Sequence, residues 1–264
     1  VLVGTLIVAA PTSEGLVIAA DSLAVSTFHK RGCSFDTKIG EIVAVDRTVY
    51  ALTGLSAMVR HPWLSTCGTN SPYLGEFDVR NAFRDYVESQ KKNAETISLA
   101  PFANRLQAML KTMPADFRRN FAKQYSAKPI AQIIVASYNE KTSTSVLRHA
   151  WIGIRPGAGL VIAREKVERL GPGANFMISN FGERPYADMS IADGTLKKFY
   201  GDPETQKLIG TRARIDTIGK QRASTAAADI INAVSARMKV VPSKNQYNIG
   251  VTVGGAVDVL FIGK

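Results

Sequence analysis

The sequence predicts an α+β fold, with antiparallel strands and amphipathic helices in separate stretches of one chain. Three observations predict it. Apolar runs broken by turn clusters fill residues 4–54 and return at residues 131–154; two helical patterns follow each other between residues 78 and 110; a third runs over residues 224–238.

Residues 4–38 hold two apolar runs joined by Pro11-Thr12-Ser13-Glu14-Gly15, then Asp21-Ser22, then a polar loop that delivers Lys38. Branched side chains fit a pleated surface and Pro and Gly punctuate it, so this is a hairpin. Neither run alternates with polar residues, which predicts burial of both faces. Residues 39–54 read as two short strands around a turn at Asp46-Arg47. Residues 61–77, broken by Pro62, Gly68, Pro72 and Gly75, form a long loop.

Asp78 caps a helix with Val79, Phe83, Tyr86 and Val87 on one face. Ser98 precedes a second helix, with Pro101 in its first turn and Leu99, Phe102, Ala103, Leu106 and Leu110 on a stripe. Arg105, Lys111, Arg118, Arg119 and Lys123 make this region basic, as a solvated face. Residues 131–138 form a strand, Asn139-Glu140-Lys141 a turn, and residues 145–154 the returning strand. Gly171-Pro172-Gly173-Ala174 is a glycine-rich turn. Residues 188–221, polar and rich in glycine, read as an insertion with one short helix in an otherwise single domain over residues 1–264. Ser224 then caps a helix on which Ala227, Ile230, Ile231, Val234 and Met238 recur at helical spacing, and residues 251–264 end in a strand.

The 264 residues suffice to bury one sizeable core, and no apolar run reaches the roughly 18 to 20 residues of a membrane helix. Cys33 and Cys67 are too few for a disulfide scaffold, and His29, His61 and His149 lack metal-ligand spacing. A net charge of +11 suits acidic partners, yet no nucleic-acid motif accompanies it. The chain starts without Met, so residues upstream are expected to have been removed, and the compartment, cytoplasmic or periplasmic, stays open.

Chemistry enters with Thr5, Asp21 and Lys38. A threonine hydroxyl is a weak nucleophile that needs a nearby base, and an N-terminal threonine carries one in its own α-amine, of pKa about 7.7 to 8.0. A lysine beside it disfavours protonation of that amine, and an aspartate fixes the lysine. In this order, Gly4-Thr5, Asp21-Ser22 and Lys38-Ile39 resemble the proteasome β-subunit family of N-terminal nucleophile hydrolases, as a bacterial proteasome-type homologue.

The resemblance implies an αββα four-layer sandwich, Thr5 as nucleophile after removal of residues 1–4, Asp21 as the buried aspartate and Lys38 as the catalytic lysine. It implies that Val43, Val45, Gly54 and Leu55 flank the substrate, with backbone N–H groups near Gly54 holding the oxyanion. Gly4 would mark the self-cleavage point and Ser22 would be a supporting residue of the site. The turn at Gly173 would lie near the nucleophile, although Pro172 stands where the family has a serine. Asn245 and Asn248 stand where the family has an aspartate and a serine, and they carry no charge to hold an ammonium. The resemblance further implies a peptide or protein substrate, no metal or organic cofactor, and a homo-oligomeric ring, with any unfoldase or regulator unspecified. A second register puts the nucleophile before Val1, because family members often carry Val-Gly shortly after it; that register requires a longer hairpin. A catalytically inactive ring scaffold or binding module is the rival reading, and a basic binder of nucleic acid or another anionic polymer a further one.

Overall fold

The structure, a computed structural model, describes residues 2–3, 5–26, 31–33, 38–55, 57–58, 77–126, 129–242, 244 and 251–264. The chain opens with β1 (Leu2–Val3), β2 (Leu6–Thr12), β3 (Gly15–Asp21), β4 (Ala24–Ser26) and β5 (Arg31–Cys33). Next come β6 (Ile39–Glu41), β7 (Thr48–Gly54), β8 (Ala57–Met58) and β9 (Phe77–Asp78). Three helices follow, α1 (Val79–Gln90), α2 (Ala100–Thr112) and α3 (Ala115–Tyr125). They precede the long strands β10 (Ala131–Asn139), β11 (Thr144–Arg155) and β12 (Gly159–Leu170). The remainder is β13 (Asn175–Phe176), β14 (Ser179–Gly182), α4 (Arg184–Ala192), α5 (Pro203–Leu208), β15 (Ala213–Arg214), α6 (Lys220–Val240) and β16 (Val257–Gly263).

All seven residues of β2 and all seven of β3 are buried. The reason is that both faces of this hairpin are covered. Ile7, Ala9, Leu16, Ile18 and Ala20 meet Ile39, Val49, Ala51, Ile134, Ala136 and Leu147 in one apolar cluster, while Leu6, Val8, Ala10, Val17 and Ala19 meet the apolar stripe of α6 in another. The sheet containing the hairpin runs β14-β2-β3-β16, and a second runs β12-β11-β10-β7-β6, every pairing antiparallel. The far face of the second sheet carries a third cluster, built with Phe83, Phe102, Leu106 and Phe121 of α1, α2 and α3. The fold is thus mixed α and β with antiparallel sheets.

Local sequence accounts for most element boundaries. The Asp78 carboxylate accepts the Asn81 N–H at 2.8 Å at the start of α1, as its spacing predicts. α2 starts at Ala100 with Pro101 in its first turn and no side-chain cap, so Ser98 does not play that part; its carbonyl instead accepts the Tyr86 hydroxyl. α6 starts at Lys220 and not at Ser224, because the Glu14 carboxylate, from the β2–β3 turn, accepts the Lys220 N–H at 3.0 Å. Residues 188–221 also differ from the expectation of an insertion with one short helix. α4 reaches into them, α5 is capped by Asp202, and Leu196, Leu208, Ile209 and Ile218 are buried against α6 and the hairpin sheet. Their apolar residues are sparse in sequence but converge in space. The loop expected at residues 61–77 and the cysteine Cys67 lie almost wholly outside the described residues. Among the described residues no helix is long and apolar enough to cross a membrane.

Candidate active site

Thr5 stands at the mouth of β2, 2% exposed. Its carbonyl accepts the Glu183 N–H at 3.0 Å and faces the Thr53 hydroxyl at 3.5 Å, so the main chain here is tied both to the β14–α4 junction and to the end of β7. Two glycines permit that approach. Gly182 has φ +85°, and a Cβ there would lie 2.2 Å from both the Thr5 carbonyl oxygen and the Thr53 hydroxyl; Gly54 has φ +95°, and a Cβ there would lie 2.8 Å from the Ile130 carbonyl oxygen.

Behind Thr5 sits a charged pair withdrawn from solvent. Leu6 lies opposite Asp21 across the hairpin, and the Asp21 Oδ1 accepts the Leu6 N–H at 2.8 Å. The Lys38 ammonium lies 3.3 Å from the same oxygen and also donates to the Leu23 carbonyl. The Gly254 N–H completes the set on Oδ2 at 3.0 Å. Sharing one carboxylate oxygen puts the Lys38 nitrogen within two hydrogen-bond lengths of the Thr5-Leu6 peptide nitrogen. Burial pushes the Asp21 carboxyl above its usual range, against the pull of Lys38 and its backbone donors. Burial likewise pushes the Lys38 amine below its usual value, against the attraction of Asp21.

In front of Thr5 opens a cavity of about 610 Å³, mostly apolar, walled by Thr53, Gly54, Gln132 and Trp151 on one side and by residues 182–186 and Arg237 on the other. The β11–β12 register shifts between Trp151 and Ile152, a bulge that re-aims side chains beside the cavity. Thr5 hydroxyl chemistry, a carboxylate-held amine behind it and a mainly apolar cavity in front together suit attack on a carbonyl of a bound chain.

Of the residues singled out in the sequence, Thr5, Asp21 and Lys38 come together, Gly54 lines the cavity, and Ser22 is buried next to Asp21 with its N–H on the Ala256 carbonyl. Val43 does not line it: it is 91% exposed in the turn between β6 and β7, with its N–H on the Glu88 carboxylate of α1. Val45 packs against the helix cluster and Leu55 is wholly inside it, its N–H spent on the Ile130 carbonyl, so neither faces the cavity. Gly173 lies in an exposed turn with nothing near its Cα side. Gly4, Asn245 and Asn248 lie outside the described residues. Sequence reasoning missed Gly182, Thr53, Tyr186 and Arg237. Phe181-Gly182-Glu183-Arg184-Pro185 did carry a signal, an apolar strand closing on a glycine with proline in the first turn of a helix.

No family model matches the sequence, and no curated protein matches it. Among solved structures it is similar to Anbu (ancestral beta-subunit) from Yersinia bercovieri, at 15% identity over 98% of this chain and 81% of that one, TM-score 0.44. It is similar at the same identity and TM-score to the Anbu (Gly-1) mutant from Hyphomicrobium sp. strain MC1, over 98% of this chain and 82% of that one. These findings correct the resemblance drawn from the motifs: with no family model matched and only shallow likeness to Anbu structures, the chain is not assigned to the proteasome β-subunit family. Likeness this shallow says nothing of the chain's chemistry.

Proposed function

We propose that this chain hydrolyses peptide or other amide bonds with the Thr5 hydroxyl as nucleophile. One arrangement supports the reading: Thr5 lies between a mainly apolar, partly open cavity and the buried Asp21–Lys38 pair, whose carboxylate also grips the neighbouring Leu6 N–H. In this scheme Thr5 Oγ attacks the Gly4 carbonyl, an ester forms as the Thr5 nitrogen is released, and water cleaves the ester to free residues 1–4 and the Thr5 α-amine. That amine then takes the hydroxyl proton and passes it to the leaving nitrogen as the hydroxyl oxygen bonds to the substrate carbonyl carbon and the amine product departs; water then cleaves the resulting ester, releasing the acid product and restoring the hydroxyl. Lys38 sets the local field, Asp21 holds Lys38, and the Gly54 backbone in the cavity wall stands beside the developing oxyanion. The helix–sheet–sheet–helix layering of the apolar clusters, a four-layer sandwich, belongs to the same reading, as does assembly into a homo-oligomeric ring, which native mass spectrometry tests.

Intact-mass measurement tests the chemistry. The full chain should lose residues 1–4 and gain one adduct from a peptide epoxyketone, and Thr5→Ala should do neither. A chain that keeps residues 1–4, forms no adduct and cleaves no peptide of a mixed library sinks the proposal. A second reading, a binding module without turnover, has one observation behind it: Leu2–Val3, which processing would remove, are paired as a strand between β4 and β8. Peptide binding with an unprocessed chain would favour it.

A further inference from the structure

Two carboxylates line the cavity, Glu183 and Asp193, and the arginine guanidinium that α6 contributes is ion-paired with neither; the Glu183 carboxylate accepts the Thr252 hydroxyl at 2.6 Å. Arg237, on α6, is half-buried and lines the cavity wall, and among the described residues no acidic side chain lies within ion-pair distance of it. Three other arginines of this part of the chain are paired, Arg184 with Asp188 at 2.7 Å, Arg214 with Asp216 at 2.7 Å and Arg222 with Glu204 at 3.4 Å. Arg237 is nonetheless held in place. One Nη donates to the Ser190 hydroxyl at 2.7 Å, Ser190 in turn donates to the Tyr186 carbonyl at 2.6 Å, and the guanidinium stacks over the Tyr186 ring at 4.7 Å from its centre. The acidic group that feels the Arg237 charge is Asp193, whose carboxylate is spent on the Thr195 N–H and hydroxyl at 2.8 and 2.6 Å. A planar fork fixed by a hydroxyl and a ring, in a mainly apolar cavity and with no direct ion pair among the described residues, is built for an anion that arrives from outside. Lys244, exposed at the rim and also without a carboxylate among the described residues, adds to the same field.

We propose that Arg237 is the specificity-determining residue of this cavity and takes a carboxylate carried by the bound peptide, from an acidic side chain or from the peptide's own C-terminus. The inference rests on the reading of the cavity as a peptide site, and goes beyond it in naming what that peptide carries. Arg237 positions and selects substrate; the bond-making atoms remain those of Thr5.

Calorimetric titration of the full chain with three peptides tests it: an N-acetylated, C-amidated tripeptide ending in glutamate, its neutral glutamine twin, and the glutamine twin with a free C-terminal carboxylate. At least one carboxylate peptide should bind about tenfold or more tighter than the neutral twin, the free energy of a hydrogen bond to a charged group, and the tighter one identifies the source. Arg237→Gln should abolish the difference, and Arg237→Lys, which keeps the charge but not the fork, should keep only part of it. Equal binding of the neutral twin, binding of none of the three, or an Arg237→Gln chain that still prefers carboxylate overturns the proposal. Mass spectrometry of the same samples separates the two readings. Hydrolysis without carboxylate preference removes Arg237 from its role and leaves Thr5 in place, whereas carboxylate preference without hydrolysis does the reverse.

Discussion

Asp21 and Lys38 are both withdrawn from water, and taking two charges out of solvent costs several kcal/mol per ion before their attraction and backbone donors return part of it. Removing one partner therefore harms more than removing both. Asp21→Ala should lower unfolding free energy by about 3–5 kcal/mol in urea titrations, whereas Asp21→Leu combined with Lys38→Met should recover much of that loss. Neither variant should process or turn over. A different titration contributes to acid stability. Hydrogen bonding from His149 and then Lys166 holds the Glu168 carboxyl well below its ordinary value of 4.5, at about 2, despite partial burial. Its pKa is lower folded than unfolded, so the ionised form favours the folded chain; that contribution is complete above 4.5 and is lost as pH falls towards 2. Thermal melts across this window should show a shallower acid decline for Glu168→Gln than for the parent chain.

At the scale of elements, the start of α6 is set by a residue over two hundred positions away. Glu14 closes the first turn of a helix it is not part of, and Glu14→Ala should cost about 0.5–2 kcal/mol, the range of a lost N-cap, read as a shift in urea midpoint with unchanged slope. This explains why Ser224 misled: a serine before an apolar stripe is a local cap signal, but the true first turn is satisfied from outside the segment. The hairpin and α1 were legible because their causes are local, unbroken apolar runs in one and an Asp three residues before Asn81 in the other. α3 was not, since its Phe117, Phe121 and Tyr125 lie among charges that make the segment read as a solvated face. β12 was missed for a similar reason: Arg164, Glu165, Lys166 and Glu168 clothe it, as charge commonly does on a strand at a sheet edge.

For the whole molecule, the two main sheets depend on the cluster between them. Phe181 of β14 is 1% exposed within it, and its ring lies 5.1 Å from that of His149 on the opposite sheet. Phe181→Ala should cost about 3–5 kcal/mol by calorimetric or denaturant unfolding, and should loosen the neighbouring Gly182 wall of the cavity as well. Half of the candidate site was readable because Thr5, Asp21 and Lys38 belong to one continuous stretch of strand, turn and strand. Thr53, Gly182 and Arg237 arrive from three other elements, and only topology brings them there. The same topology bears on how the chain is made. The first hairpin borders β14 on one side and β16 on the other, and the second of these, Val257–Gly263, leaves the ribosome more than two hundred residues after it. Until then a largely apolar ribbon with an open edge waits in the cell, so nascent chains should engage chaperones early and let go of them late.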